Sequence, residues 1–347
     1  MSSLCDWGRV EIDLSDQMEF VPLSTNALMK HLRASGIEIG GSSAKKKLQN
    51  VGYYHGYKGY RFARERRNLL PITDFSQILN LYAFDMEMKS LFYPRIMQIE
   101  TSLKSCILDA ICSKLSEKKL PASYDVVCST CLTGAGAKEQ YRELSFLAGK
   151  ISRLSAQEGD PVIRHFTDDG RGVPIWALLE TLTLGEFSAI YSCLTEDLKS
   201  SIYKRLDLPA RSDDPKAQKR DRTDILLALL RVLASLRNSV AHNNVVLDAR
   251  FLIRNEPNKY VKEYLGSEFG VGTVPFNCIA DCMLLTVFFM TALGYSKTER
   301  KRFVAEYERV LDSYYDESKV PPAIFHQMVG KSDSLKIKAA LKYISRR

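Results

Sequence analysis

The sequence predicts an all-α fold, for two reasons. Over most of the 347 residues, apolar side chains recur at the helical period, and Gly, Pro and Asp/Ser clusters separate the periodic stretches. Runs that alternate apolar and polar residues, the pattern of a half-buried strand, are sparse. With 45% hydrophobic and 26% charged residues, the composition is that of an ordinary globular protein. A chain of this length buries enough surface to fold without stabilisation by disulfides or a bound metal.

The N-terminal part is expected to contain short helices followed by one long helix. Residues 25–70 show short helical stretches and turns that end in a basic, aromatic block. A long helical pattern then runs from Ser76 to Leu115. Pro94 should interrupt this helix, because an interior proline removes a backbone hydrogen bond. A loop region around 117–135 is expected to follow.

The rest of the chain is expected to be helical as well. Periodicity predicts further helices at 137–155, 174–193 and 197–206. A polar connector, 210–224, leads into a strong helix from Asp224 to His242, which ends at two asparagines that suit a helix C-cap. Beyond it the pattern predicts an apolar helix, a charged helix and a basic tail, at 277–293, 297–313 and 331–347. We therefore divide the chain into three parts, 1–70, 71–250 and 251–347.

Charge and hydropathy indicate the compartment and the class of partner. The formal net charge of +8 favours an anionic partner such as nucleic acid. The first 20 residues lack the basic segment and apolar run of a signal peptide. The longest apolar stretch, Cys282–Gly294, is too short to cross a bilayer. We therefore expect a soluble, cytoplasmic protein with no membrane partner.

The eight cysteines predict neither disulfides nor a metal site. Most lie among apolar residues, which is typical of reduced core thiols. Cys128 and Cys131 form one CxxC pair, but a zinc site needs a second pair of ligands, and no further CxxC or HxxxH supplies one. We expect a loop with two free thiols there.

The helix that ends at His242 carries an arginine in an unusual position. Its apolar stripe is formed by Leu226, Leu229, Leu230, Leu233, Leu236 and Val240. Arg237 falls within this stripe, where a cation is costly unless its charge is paired. Asn238 and His242 are spaced i, i+4 and share a face beside the stripe. The three polar side chains are therefore expected to converge at the C-terminal end of the helix.

The long helix over 76–115 carries the complementary anomaly. Glu100 lies on its apolar stripe, one turn after Ile96, and Asp85 falls on the same line if Pro94 does not rotate the register. A buried acid and a buried arginine on two helices of one bundle attract each other. We predict that Glu100, or as second choice Asp85, pairs with Arg237 and orients it. The alternative is a purely structural ion pair.

The residues around Arg237 resemble a known ribonuclease motif. The segment RNSVAH, 237–242, is similar to the R-N-x-x-A-H form of the HEPN ribonuclease motif, an arginine followed by four to six residues and a histidine. Such a short motif is weak alone, but here it ends a long amphipathic helix, as HEPN domains require.

Four further segments resemble the Abi abortive-infection family, in the order of that family. In chain order the first two are VGYYHGY, which begins at residue 51, and LYAFD, which begins at residue 81 and is followed by Ile99-Glu100. The other two are WALLE, which begins at residue 176 and is followed by Leu184-Gly185, and NNVVLDARF, which begins at residue 243. The last segment is similar to the AbiD/AbiF-like branch. The resemblance spans about residues 25–251. The family often has arginine where this chain has His55 and Lys104.

The resemblance implies a HEPN-type helical bundle over 71–250 with helical extensions at both ends. It also implies a homodimer with metal-independent endoribonuclease activity. The biological role would be phage defence by abortive infection, or that of a toxin controlled by an RNA or protein antitoxin. Some AbiF-like members are encoded beside a structured noncoding RNA, which would then be a partner.

The motif residues suit RNA cleavage without a metal or other cofactor. RNA supplies its own nucleophile, because removal of the 2′-OH proton lets that oxygen attack the adjacent phosphate. Histidine titrates near neutral pH, so His242 can act as the base or the acid. Arg237 can donate to two oxygens of the phosphorane. Asn238 can hydrogen-bond the imidazole or hold a phosphate oxygen. Alternatively, His242 merely caps its helix through a favourable dipole contact.

The basic, aromatic block is the candidate RNA-binding surface. Residues 53–67 interleave five aromatic with five cationic side chains, which offers stacking faces together with phosphate contacts. The candidate RNA-binding residues are Tyr53, Tyr54, Tyr57, Lys58, Tyr60, Arg61, Arg64, Arg66 and Arg67. The alternative is that the tyrosines pack on the core and only the arginines are solvated. The basic tail at 331–347 either grips RNA or is a charged surface helix.

Two other functions compete with the ribonuclease. The first is a non-catalytic RNA-binding scaffold that uses the same basic groove, with Arg237 and His242 structural or disabled. The second is a helical protein-interaction module. Loss of toxicity in His242→Ala with RNA binding retained would distinguish enzyme from scaffold, and co-purifying RNA would distinguish an RNA binder from the module.

Overall fold

The computed structural model describes residues 23–132, 138–156, 161–168, 173–209 and 224–347. Within these ranges the chain forms fifteen α-helices, and the extended residues make only isolated bridges and no β-strand. The predicted all-α class is therefore confirmed. The first 22 residues and most of the predicted polar connector, 210–223, lie outside the described residues.

Among the described residues, nine helices precede the one that carries Arg237. They are α1 (Thr25–Ala34), α2 (Gly41–Val51), α3 (Phe75–Glu117), α4 (Tyr124–Cys131), α5 (Lys138–Ala156), α6 (Pro161–Asp168), α7 (Ile175–Thr181), α8 (Leu184–Cys193) and α9 (Glu196–Arg205). A π-helical turn, Gly52–Lys58, continues directly from α2.

Six helices complete the described chain. They are α10 (Ile225–Ala241), α11 (Lys259–Phe269), α12 (Ile279–Ala292), α13 (Lys297–Tyr314), α14 (Pro322–Val329) and α15 (Asp333–Arg346). A short 3-10 turn, Arg250–Leu252, lies between α10 and α11.

The long helix α3 is the central element, and it runs without a break through Pro94. The predicted interruption there is wrong. Phe92 and Ile96 are buried on either side of the proline and hold both halves of the helix against the core. Pro94 itself is exposed, as is Ser90, whose carbonyl loses its usual partner and can be hydrated instead. At its start, Asp74 and Gln77 form a capping box.

Helix α10 is held between α3 and α8, and α12 and α13 pack on α3 as well. Its predicted bounds are correct to within a residue: the Asp224 side chain caps the start, and His242 is the C-cap. Asn243 has a φ of 55°, the left-handed conformation that follows many helix ends and that asparagine tolerates. The chain therefore turns sharply right after His242.

Two other helix predictions need correction. The single helix expected over 174–193 is two, α7 and α8, because Thr183 starts a new helix with a capping box to Glu186. Part of the loop expected over 117–135 is helix α4, where Val127 and Cys131 are buried one turn apart. Cys128 and Cys131 are free thiols, and within the described ranges no three His, Cys, Asp or Glu side chains cluster as metal ligands would.

Helix α12 is the apolar helix expected near 277–293, and nearly all of its side chains are buried among α10, α13, α15 and α3. Among the described helices, none combines the length and apolarity that crossing a bilayer requires.

Candidate functional site

The Arg237 guanidinium on α10 lies against the Glu100 carboxylate on α3, with 3.4 Å between Nε and Oε2. Neither of these two atoms makes a hydrogen bond, so the contact is an ion pair without hydrogen-bond geometry. The Glu100 side chain is 6% exposed and the Arg237 side chain 24%. This is the contact predicted from the charges of Arg237 and Glu100 on the apolar stripes of their helices. It leaves part of the guanidinium open to solvent.

Glu100 is shared with a second cation. Lys104 Nζ lies 3.0 Å from the Glu100 carboxylate and donates to the carbonyl of Leu182 over 2.6 Å. Leu182 lies at the break between α7 and α8. One buried acid therefore faces two cations, so this group of three side chains has a formal net positive charge.

Asn238 follows Arg237 directly, and His242 is the C-cap residue of the same helix. Arg237 Nη1 donates to Asn238 Oδ1 over 3.3 Å, and the backbone N–H of His242 donates to the Asn238 carbonyl over 2.9 Å. Both side chains are exposed. The arrangement presents an imidazole, an amide and part of a guanidinium to solvent within six consecutive residues.

Asp85, the second choice as partner of Arg237, is engaged elsewhere. Its buried carboxylate lies 2.5 Å from Lys89 Nζ and accepts a hydrogen bond from Tyr60 Oη over 2.9 Å. It also accepts from the backbone N–H groups of Val246 and Leu247, over 2.9 and 3.2 Å. Burial raises the pKa of Asp85, and the Lys89 ammonium opposes that shift. Asp85 therefore fixes the segment after His242 rather than the arginine.

Lys89 is a site residue that the sequence reasoning missed. It is 4% exposed, and its Nζ donates to Asn243 Oδ1 over 2.7 Å. A pattern in the sequence could have identified it, because a lysine four residues after Asp85 on the apolar stripe of α3 is as unusual as Glu100. Together Asp85 and Lys89 bind Asn243, the first residue after His242, and the backbone N–H groups of Val246 and Leu247.

A second set of hydrogen bonds joins the basic, aromatic block to the segment that follows His242. Arg250 donates to both carboxylate oxygens of Asp248 and to the carbonyls of Gly59 and Phe62, over 2.7 to 2.9 Å. The Arg64 backbone N–H also donates to Asp248, and the Arg64 guanidinium is directed toward nearby backbone carbonyls. The block therefore lies against the end of α10.

These contacts correct three of the candidate RNA-binding residues. Tyr57 and Tyr60 are 0% and 1% exposed, so neither ring can stack on a base. Arg64 is turned toward the protein. Tyr53 is half-buried, against Tyr54 and Tyr57. The remaining candidates have side chains at the surface: Tyr54, Lys58, Arg61, Arg66 and Arg67.

Two adjoining cavities lie between this block and the segment after His242. The outer cavity, about 480 Å³, is lined by Tyr54, Lys58, Arg61, Phe62, Arg66 and Leu69. The inner cavity, about 420 Å³, is lined by His55, Asn243, Asn244, Val245 and Phe251. Tyr54, Gly59 and Arg250 border both, so the two form one groove that reaches the residue next to His242.

The basic tail forms α15, and part of it is packed inward. Lys336 Nζ lies 2.7 Å from Asp281 Oδ1 and 3.1 Å from the thiol sulfur of Cys278. Arg347 pairs with Asp207 and Glu268. Lys338 and Lys342 line a separate cavity of about 560 Å³, together with Lys336.

Comparison with known proteins identifies one relationship. A family model described as Abi-like protein matches residues 46–248. The matched range contains the basic, aromatic block, Glu100 and the whole of α10. No curated protein and no solved structure matches the chain.

Proposed function

Because the chain belongs to the family of Abi-like proteins, we propose that it is an endoribonuclease that acts in abortive infection. The proposed reaction is metal-independent cleavage of RNA by attack of a 2′-OH on the adjacent phosphate. The residues that would perform it are Arg237, Asn238 and His242.

One observation carries this proposal: the buried Glu100 carboxylate lies 3.4 Å from an Arg237 guanidinium that remains partly exposed, hydrogen-bonds Asn238 and shares the end of α10 with the exposed His242. A guanidinium that is paired on one side and open to solvent on the other keeps donors free for a second anion. Here one edge of the group faces the acid, and the exposed part is available for a phosphate. The groove beside this end of α10 is lined by cations, which suits a polyanion.

The chemistry follows from the residue types. His242 takes the 2′-OH proton while the 2′ oxygen attacks phosphorus, and the bond to the 5′ oxygen breaks. The leaving 5′ oxygen takes a proton from an acid, which yields a 2′,3′-cyclic phosphate and a 5′-OH end. Arg237 stabilises the added negative charge on the phosphorane through charge-assisted hydrogen bonds. Asn238 holds a phosphate oxygen or the imidazole through its amide.

The reaction needs a base and an acid, and α10 offers one histidine. We therefore propose that the active unit is a homodimer in which two copies of His242 face one phosphate across a two-fold axis. The same symmetry would bring two Arg237 side chains to a single phosphorane. The proposed partners are thus a second copy of the chain, target RNA and, as in some AbiF-like relatives, a structured noncoding RNA that acts as antitoxin in the cytoplasm.

Purified full-length protein should cleave single-stranded RNA, and Arg237→Ala and His242→Ala should each abolish cleavage while RNA binding persists. Arg309→Ala and His165→Ala are matched controls, because both residues are exposed and lie on other helices, α13 and α6. Binding without cleavage by the wild-type protein would favour the non-catalytic scaffold instead.

A further inference from the structure

The outer cavity combines features that the cleavage chemistry does not require. Two large apolar side chains are exposed at its edge, Tyr54 at 72% and Leu69 at 57%. Lys58 Nζ lies 4.7 Å from the centre of the Tyr54 ring, and most of the surface of that ring remains open to solvent. An exposed aromatic face next to a cation is what a flat, electron-rich ligand recognises.

The wall of this cavity is fixed before any ligand binds. The Arg250 guanidinium stacks on the Phe62 ring at 4.3 Å and holds the carbonyls of Gly59 and Phe62. Gly59 allows a close approach to the backbone of His55, because a Cβ there would lie 2.6 Å from the His55 carbonyl oxygen. A rigid wall lowers the entropy lost when a ligand is ordered against it.

The charge of the lining identifies the kind of ligand. Arg250 is neutralised by Asp248, which leaves Lys58, Arg61 and Arg66 as the cations of the outer cavity. Within the described part of the chain, no acidic residue lines either cavity. A ligand that carries both negative charge and an apolar flat face fits this combination, and a nucleotide of an unpaired strand has both. Bases inside an A-form duplex are stacked on one another and cannot offer a face to Tyr54.

We propose that the outer cavity is a subsite for one unpaired base of single-stranded RNA, stacked on Tyr54, with its flanking phosphates on Lys58, Arg61 and Arg66. The cavity of about 480 Å³ is large enough for a nucleotide. Since the inner cavity connects it to Asn243 and Asn244, the bound base belongs to a nucleotide close to the cleaved bond, a placement that rests on the proposed nuclease function. The subsite makes cleavage depend on the identity or the flexibility of that base.

The test uses full-length His242→Ala protein, which leaves RNA intact, and single-stranded oligonucleotides that each carry one abasic position. One position should weaken binding roughly 5- to 100-fold, the effect of removing one stacked base. Adding Tyr54→Ala should lower affinity by a similar factor and abolish the sensitivity to that position. Tyr54→Phe should retain it, because phenylalanine keeps the ring. Tyr141→Ala is the matched control, since Tyr141 is 61% exposed on α5, away from the groove.

Equal affinities of the Tyr54→Ala and Tyr141→Ala proteins would overturn the subsite, and so would equal binding of single-stranded and duplex RNA. These outcomes are distinct from failure of the nuclease proposal. If wild-type protein cleaves no RNA but Tyr54 still confers position-specific binding, the nuclease proposal fails and the base subsite stands. If wild-type protein cleaves RNA and no abasic position matters, the subsite fails and the nuclease proposal stands.

Discussion

Lys89 Nζ donates a hydrogen bond to Asn243 Oδ1 over 2.7 Å, and Asn243 directly follows His242. The same ammonium lies 2.5 Å from the Asp85 carboxylate, which binds the backbone of Val246 and Leu247. One buried ion pair on α3 therefore holds both ends of the turn that follows the candidate catalytic histidine. The position of His242 depends on residues that are neither exposed nor part of the R-x4-H motif.

Replacing Lys89 with methionine should destabilise the protein strongly. The change leaves the Asp85 carboxylate buried without its counter-charge, a situation that costs about 3–5 kcal/mol of unfolding free energy. Chemical denaturation at neutral pH measures the loss. The double variant Asp85→Asn/Lys89→Met should recover part of it, because it removes the unpaired charge. Strictly additive effects of the two substitutions would show that the pair is not coupled.

Replacing Glu100 tests whether this acid orients Arg237 for cleavage as well as stabilising the fold. Glu100→Ala leaves Arg237 and Lys104 without their shared acid, but Arg237 is partly solvated. We therefore expect a loss of about 1–3 kcal/mol, between the values for surface and buried pairs. Cleavage should fall by at least tenfold while RNA affinity stays within about twofold. Glu117→Ala, at an exposed position of α3, is the control. Unchanged cleavage by Glu100→Ala would make the ion pair purely structural.

The arginines of the basic, aromatic block should fall into two classes. Arg61, Arg66 and Arg67 are at the surface, so changing all three to glutamine should weaken RNA binding and reduce its dependence on salt. For a single strand the slope of log K against log salt should drop by about 0.7 for each phosphate that the variant no longer neutralises. Arg64→Gln should lower stability and leave the slope unchanged, because Arg64 faces backbone carbonyls. If the triple variant keeps the wild-type salt dependence, these arginines do not contact RNA. Lys338 and Lys342 on α15 would then be the next candidates for RNA binding.

The proposed dimer predicts the activity of a heterodimer that contains one wild-type and one inactive chain. A purified heterodimer of wild type with His242→Ala should lose nearly all cleavage, because the shared site then has a base or an acid but not both. Differently tagged chains allow the heterodimer to be isolated and assayed. Retention of half the wild-type rate, or full activity of a monomer, would mean that each chain holds a complete site. His55, which lines the inner cavity, would then be the first candidate for the acid.

The sequence predicted most of the helices and the contact between Arg237 and Glu100, because both depend on periodicity. Arg237 and Glu100 stand out as charges on apolar stripes, where a charge is costly unless it is paired. Lys89 obeys the same rule and could have been found by it. Its particular partner, Asn243, could not, since that contact depends on the left-handed turn after His242.

The aromatic block was harder to interpret for a geometric reason. Residues 52–58 form a π-helical turn, whose hydrogen bonds run from i to i+5. The face on which a side chain lies therefore does not follow the 3.6-residue period used to interpret the sequence. Tyr57 consequently points into the core, while Tyr54 and Lys58 remain outside. Tyr60, which lies beyond the π-helical turn, is buried and donates to Asp85. Composition indicated a surface for RNA but could not indicate which tyrosine faces it.

The most direct test of the proposed mechanism is the chemistry of the RNA ends that the purified full-length protein produces in the presence of EDTA. A metal-independent 2′-OH attack predicts cleavage in EDTA, with 2′,3′-cyclic phosphate and 5′-OH ends identified by mass spectrometry, and no product from Arg237→Ala or His242→Ala. Products with 3′-OH and 5′-phosphate ends would contradict 2′-OH attack. Activity that is lost in EDTA and restored by a divalent cation would contradict a reaction carried by Arg237 and His242 alone.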